Sequence, residues 1–494
     1  MNNNDLALIL NSHIPLIVLQ TYDEPRALDL LKGFFSIEQM PAWRWSATEG
    51  LGTLGLGIEL ADASNYREPA LLLDNIAKQR TPSAYILCDF HPYLDDPKLI
   101  RAVKDIAIRR RGCAHKLVLL SHAVTLPPEL ARYSATLSMA LPSNDEILGI
   151  VRDEARAWSA QKGNQRVRTD NASLKKLVAN LAGLPHQDVR RLAHGAIADD
   201  GAITESDLPA VTKAKFALMD MEGVLHFDYS TTQMSDVAGL SRLKQWLEHR
   251  RSAFMEEQSQ AGLDTPKGVL LFGVQGGGKS LAAKAVAGLW GLPLLRLDMA
   301  ALFNKYVGET ERNLREALAL ADTMAPCVLW MDELEKGISH QGSDSDTAKR
   351  LLGTLLTWMA ERTSAVFLTA TSNDISCLPP ELLRKGRFDE IFFVDLPNAD
   401  ARESIFTIHL AKRGHDVAQF DVKLLADLSE GFTGAEIEQA IVSASYASAT
   451  KPGGIATGNI IQAVQQTQPL SVVMAEQITA LRLWAKDRAV NAGP

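Results

Sequence analysis

At 494 residues the chain exceeds what one hydrophobic core supports, so it should divide into several compact units. Hydrophobic residues make up 46% and charged ones 22%, which excludes a disordered or fibrous protein, and a formal net charge of -8 argues against a general nucleic-acid binder. Four scattered cysteines (Cys88, Cys113, Cys327, Cys377) form no CxxC pair, and the N-terminus MNNNDLALIL lacks a basic region and a long apolar stretch. Neither a disulfide framework nor a zinc site nor a membrane span is indicated, and a reducing, cytoplasmic setting is expected.

The first expected strand, Leu16 to Thr21, runs straight into Tyr22, Asp23, Glu24 and Pro25 with no glycine-rich loop. The apolar run Tyr85 to Asp89 (YILCD) ends in an acid. LPPEL comes next at Leu126 to Leu130, then Leu141-Pro142 and Gly183 to Val189 (GLPHQDV). From about Phe227 short apolar strands alternate with helical patterns, the rhythm of a parallel sheet covered by helices. Strands are expected at Gly268 to Phe272, Leu294 to Leu297, Cys327 to Met331, Val366 to Ala370 and Ile391 to Val394, with helices at Ser280 to Leu289 and Glu309 to Met324. After Leu396-Pro397 the pattern is wholly helical, broken at Gly431 to Gly434 and Lys451 to Gly454. A tail helix from Met474 to Lys486 places Met474, Ile478, Leu481 and Ala485 on one face.

Four landmarks of the first half recur in order in the second, offset by about 250 residues. YILCD answers to VLWMD (Val328 to Asp332), LPPEL recurs at Leu378 to Leu382, Leu141-Pro142 answers to Leu396-Pro397, and GLPHQDV to GFTGAEI (Gly431 to Ile437). The first half therefore reads as a second copy of one module, without the means to hold phosphate in the usual way.

Gly273, Val274, Gln275, Gly276, Gly277, Gly278, Lys279 and Ser280 spell GVQGGGKS between a strand and a helix, the spacing of a phosphate-binding loop, with Leu281 next on the helix. Glycines let successive N–H groups curl around phosphates, where side chains would collide. Lys279 would neutralise phosphate charge, and the Ser280 hydroxyl would ligate Mg²⁺. CVLWMDE (Cys327 to Glu333) delivers two acids to a strand end, where ligands sit in open α/β sheets. Asp332 would hold the hydrated Mg²⁺ and Glu333 would polarise the attacking water of ATP hydrolysis. Two acids at a strand end are also what a solvated turn contains; the upstream phosphate loop gives them meaning.

These residues resemble the AAA branch of the AAA+ ATPases. SDVAGL (Ser235 to Leu240), PKGVLLFGVQGGGKS, KYVGETERNLREAL (Lys305 to Leu318), WMDE, LPPELLRKGRFDEI (Leu378 to Ile391) and GFTGAEI look like that family's motifs in order, over about Asp236 to Gln466. Through GVQGGGKS, APCVLW and LLRKGRFDEIFF the chain also resembles the uncharacterised AAA proteins of plastid and cyanobacterial genomes, which look similar to it in having a nucleotide-free first half.

The resemblance implies an α/β fold of two tandem AAA+-like modules, the first degenerate and the second a complete P-loop parallel sheet, each followed by a small helical lid. The expected divisions are 1–143 for the degenerate domain, 144–200 for its lid, 201–228 for a linker, 229–396 for the ATPase and 397–494 for its lid and C-terminal helix. It makes Asn373 the residue that orients the water, although Asn after a strand is also a turn former. It makes Arg384 and Arg387 arginine fingers on a neighbour's nucleotide, and hence implies a homo-oligomer, a hexameric ring. It encloses the adenine with Asp236, Val237, Ala238, His409, Gly434 and Ala435. It also puts Lys305, Tyr306, Val307 and Gly308 on a loop facing the ring's pore, where Tyr306 would grip an extended protein client. The Ser, Gly and Asp-rich stretch from Gly337 to Asp346 would be a second, mobile pore loop. Three consecutive glycines replace the family's commoner forms and should loosen the phosphate loop before nucleotide binds.

Three functions remain open at this level: an ATP-driven remodeller of a protein client, a nucleic-acid motor, and a regulatory switch that docks a partner on the degenerate half. For the motor, Arg109 to Arg111 and the basic stretch Lys162 to Arg168 lack interleaved aromatics.

Overall fold

The computed structural model describes residues 8–12, 14–54, 66–108, 115–219, 224–228, 233–255, 264–299, 301–302, 309–338, 345–448 and 454–493. The chain divides into two compact units, one of residues up to 168 with 182–202, the other of residues 169–181 and from 203 onward.

The first unit is built on a six-stranded sheet. Its strands are β1 (Leu16–Gln20), β2 (Ala42–Ser46), β3 (Gly50–Thr53), β4 (Ala84–Cys88), β5 (Lys116–Ser121) and β6 (Ser134–Ser138), in the order β3-β2-β4-β5-β1-β6. All neighbours run parallel except β3, which is antiparallel to β2. β1 is a continuous apolar run because both faces of the sheet are covered, as parallel sheets require. Leu16 and Val18 pack into one core with Trp45, while Ile17 and Leu19 pack into the other with Leu31 and Phe35. The helix Glu24–Ile37 buries Ala27, Leu31 and Phe35, one stripe at four-residue spacing.

The second unit is a seven-stranded sheet: β7 (Leu225–Asp228), β8 (Gly268–Gly273), β9 (Leu294–Leu297), β10 (Cys327–Met331), β11 (Val366–Ser372), β12 (Glu390–Val394) and β13 (Val490–Asn491), ordered β13-β12-β8-β11-β10-β9-β7. Only β7 is antiparallel to its neighbour. Along β8, Val269 and Leu271 face one core while Leu270 and Phe272 face the other. Each such fully buried side chain contributes roughly 1.5–3 kcal/mol. Read from β6 in one sheet and β12 in the other, five parallel strands keep the same spatial order, and an antiparallel strand closes the far edge. The two edge strands enter differently: β3 comes directly after its neighbour in the chain, whereas β7 precedes β8 in the stretch 201–228.

Short edge pieces escape a reading by apolar runs. β7 is one, and β13 is another: two residues paired with Phe392 and Phe393. The tail helix Ala475–Ala485 buries Ile478 and Ala485, with Leu481 partly buried against the same core. It also lays Trp484 edge-on against Phe272, ring centres 5.0 Å apart, and ties Arg482 Nε to Asp395 Oδ2 at 2.9 Å. The helix Leu208–Met219 is bolted down by Lys215, which is 1% exposed. Its ammonium donates to the carbonyls of Asn180 at 2.9 Å and Thr323 at 2.7 Å, the second at a helix C-terminus where a cation is favoured. The helices Ala399–Lys412, Val422–Leu428, Gly434–Ser448 and Thr457–Gln466 enclose a separate core around Phe406, Leu410, Leu425, Ile437 and Ile460.

Candidate nucleotide site

β8 ends at Gly273, and the helix Lys279–Trp290 starts beyond a loop formed by Val274 to Gly278. Gly276 (φ +75°) lies under the helical subdomain, where a side chain would meet Thr433 Oγ1 at 3.0 Å and Ala435 Cβ at 3.4 Å. Gly278 (φ +95°) caps the helix in the left-handed region that glycine takes without strain. The cradle thus has the narrow, side-chain-free shape that a phosphate chain needs. The Ala435 N–H points at the Gly276 carbonyl, 3.4 Å away, and Gly434 sits beside the same carbonyl.

Lys279 is 6% exposed, and its ammonium donates to the carbonyls of Gly273 at 2.8 Å and Val274 at 2.9 Å. Burial pulls its pKa down to about 8, opposed by the nearby carboxylates of Glu335, Asp332 and Glu333. A phosphate beside it would favour the charged form again.

The acids arrive from β10. Asp332 comes directly after that strand and accepts hydrogen bonds through Oδ1 from Ser280 Oγ at 3.2 Å and from Thr371 Oγ1 of β11. The Glu333 N–H donates to Thr371 Oγ1 at 3.0 Å, and its φ of +50° puts a non-glycine residue in the left-handed region, the kind of strain found at functional sites. Asn373 Nδ2 donates to Glu333 Oε1 at 3.1 Å, while the Lys336 ammonium pairs with Oε2. A carboxylate held this way can take a proton from water once those partners release it. Asn373 is in turn fixed by its N–H, which donates to Glu335 Oε1 at 3.0 Å; the other oxygen of Glu335 is buried without a hydrogen-bond partner. Sequence reasoning passed over Glu335. The signal was a third acid in MDELEK, placed by the helix Leu334–Ile338 beside the first two.

At the other rim, Val237 is buried and receives the Lys244 ammonium on its carbonyl. Asp236 lies 3.8 Å from Lys412, and a side chain at Gly239 would meet Ala401 at 3.3 Å, so the stretch with Ala238 lies against the helix that carries His409. His409 Nδ1 is 3.5 Å from Glu438, and burial lowers its pKa.

Arg384 and Arg387 are not brought to this loop. They precede β12, which is parallel to β8, and so sit at the opposite edge of the sheet from the loop that leaves β8. Asp389 in the same turn accepts N–H groups of Lys267 and Gly268 at the start of β8, at 2.6 and 2.8 Å. Arg384 is exposed and Arg387 Nη1 donates to the Leu356 carbonyl at 2.9 Å. The loop Lys305 to Gly308, with Tyr306, lies outside the described residues, as do Arg109 to Arg111 and residues 339–344. Gly337 and Ile338 end one helix and Ser345 starts the next. Among the described residues no helix is long and apolar enough to cross a membrane.

Residues 269–396 match the family described as ATPase family associated with various cellular activities (AAA). Residues 2–139 match the N-terminal domain, and 145–222 the second domain, of SpoVK-like AAA ATPases. The uncharacterized AAA domain-containing protein ycf46 of Guillardia theta is 35% identical over 97% of this chain and 94% of its own length. The proteasome-activating nucleotidase of Aeropyrum pernix is 36% identical over 42% of this chain and 53% of its own. The cell division cycle protein 48 homolog of Archaeoglobus fulgidus is 35% identical over 41% and 28%. With the phosphate cradle, its lysine and paired acids on one sheet edge, and a full-length relative across nearly the whole sequence, the chain belongs to the AAA ATPase family and hydrolyses ATP.

Proposed function

We propose that the chain is a ring-forming ATPase, a hexamer, that uses hydrolysis to remodel or thread a protein client. The observation that carries this reading is the separation of Arg384 and Arg387 from the phosphate loop. Five or six strand residues at about 3.3 Å each lie between the two sheet edges, so a subunit's arginines serve a neighbour's nucleotide rather than its own. Asymmetric, head-to-tail contact of that kind closes into a ring when the rotation from subunit to subunit completes a full turn, and six subunits do so in this reading. In this reading residues 273–281 hold the phosphates, and Ser280 and Asp332 hold Mg²⁺. Glu333, oriented by Asn373, activates water, while Asp236, Val237, Ala238, His409, Gly434 and Ala435 enclose the adenine. The likeness to a proteasome-activating nucleotidase supports a protein client, gripped by Tyr306.

The first unit is, in this reading, a second AAA+-like module that has lost its phosphate loop, with the divisions expected from the motifs. The common strand order of the two sheets supports it.

Mixing tests the trans arrangement. Arg387→Ala subunits and Glu333→Gln subunits are each inactive, but in a random ring about a quarter of the sites pair an intact Glu333 with a neighbour's intact Arg387. Hydrolysis should return on mixing to that fraction. Normal turnover by Arg387→Ala alone, or no recovery in mixed rings, would sink the reading. Loss of client-stimulated remodelling in Tyr306→Ala, with basal hydrolysis kept, is the matching expectation for the pore.

A further inference from the structure

We propose that the first unit carries a ligand site of its own, for a small ammonium-bearing molecule, at the carboxyl end of its parallel sheet. A cavity of about 200 Å³ lies where β1 meets the helix Glu24–Ile37, lined among others by Thr21, Tyr22, Asp23, Arg26, His122 and His186. It lies below the roughly 300–1,000 Å³ of drug-sized pockets, so an occupant of amino-acid size fits and a nucleotide does not.

Asp23 is the group that calls for a ligand. It is 4% exposed, and Oδ1 accepts the Arg26 N–H at 3.4 Å as a helix cap. Oδ2 is buried and has no hydrogen-bond partner. A buried carboxylate oxygen left without a donor is unfavourable, and ligand sites are where native proteins keep such groups. The neighbours do not supply the donor. His186 Nδ1 is 3.9 Å from Oδ2, and it takes up Arg26 Nη1 at 3.0 Å instead. Burial and the Arg26 charge hold the His186 pKa below its usual range, against the opposing pull of Asp23 and Glu146. Arg26 also donates to the Ala140 carbonyl at 3.2 Å and lies 3.8 Å from Glu146, so its charge is already answered. The unanswered charge in the cavity is negative.

The wall beside Asp23 is aromatic. Tyr22 is 75% exposed, with its ring 5.5 Å from that of His122 at a 30° tilt. A carboxylate next to an open aromatic face suits an ammonium group, which takes a charge-assisted hydrogen bond from one side and the ring's negative face on the other. Among the described residues no cluster of three or more His, Cys, Asp or Glu side chains could hold a metal ion, and the occupant proposed is an organic cation. The inference does not depend on the ring or on the client.

The test uses the full chain and ligand-observed saturation-transfer NMR, with ethanolamine, putrescine, glycine and lysine as probes. Ethylene glycol and succinate serve as the neutral and anionic counterparts. At least one amine should receive saturation and raise the melting temperature, while the two counterparts do neither. Asp23→Asn keeps the cap through its one oxygen and turns the other position into an amide donor, so it should weaken amine binding at least tenfold. Tyr22→Ala, at an exposed ring, should weaken it severalfold without touching the fold, and ATP binding should be unchanged in both. The proposal is overturned if no amine binds, if succinate binds as well as the amines, or if both variants bind like the parent.

Discussion

The carboxyl ends of β1 and β8 occupy corresponding places in two sheets of the same strand order, and they differ in the connection each makes to its helix. After β8, five residues from Val274 to Gly278 reach a helix that begins with Lys279; after β1, only Thr21, Tyr22 and Asp23 reach a helix that begins with Glu24. Two fewer residues leave no length for a nest of N–H groups, and an acid replaces the lysine at the first helical position. The neighbouring strands differ less. Ser121 Oγ of β5 donates to Asp89 Oδ1 at 2.7 Å, just as Thr371 of β11 donates to Asp332, and Asp89, like Glu333, has a φ of +50°. Both sheet ends thus carry a hydroxyl–acid pair, with or without a phosphate loop beside it, because that pair also fixes how the chain leaves the strand.

The largest expected effect separates the two edges by chemistry. Glu333→Gln should lower hydrolysis by on the order of 10²–10⁴-fold with nucleotide still bound, the loss that removal of a general base produces. In the first unit, Asp89→Asn, at the place that Asp332 holds in the second, should alter turnover less than about twofold, since no phosphate loop or lysine stands beside it. A large drop from the second substitution would break the comparison.

Stability should separate the units next. Trp45 is fully buried, donates through Nε1 to the Tyr66 carbonyl at 2.6 Å and packs against Phe90. Trp45→Ala should cost the first unit about 3–5 kcal/mol, seen by calorimetry as a transition that moves while the nucleotide-sensitive one stays. Adding nucleotide at a hundred times its Kd should stabilise the second unit by about 2.7 kcal/mol and leave the first where it was. If both transitions rise together, the first unit binds nucleotide after all.

The smallest effect is a pH dependence. The pKa of Lys279 falls from 10.5 to about 8, so above pH 8 it progressively loses its proton in the free protein, whereas bound phosphate favours the ammonium. ATP affinity should therefore be flat below about pH 8 and fall by up to tenfold per unit above it, read by titration with a fluorescent nucleotide. Flat affinity from pH 7 to 9.5 would mean that burial does not act on this lysine. The first unit has no such lysine at its helix start, and amine binding there should not track this curve.

Much of the second sheet is legible in the sequence because its strands are buried on both faces and read as apolar runs ended by glycine or acid: β8, β9 and β10 lie where those runs predict. β7 and β13 do not, because two to four edge residues with one partner need no apolar run. The grouping of Lys279, Ser280, Asp332 and Glu333 comes from motif spacing. Glu335 does not, since only the turn after β10 shows that it holds the Asn373 N–H.

By itself the sequence determined that this chain hydrolyses ATP and where, because a phosphate loop and its acids are local patterns that physical chemistry confines to few spacings. Only the tertiary structure decided which side chains face one another across elements. It put Arg384 and Arg387 at the far sheet edge and left a carboxylate oxygen of Asp23 buried without a donor. Strand direction and burial are properties of the packed sheet, and no stretch of residues carries them alone.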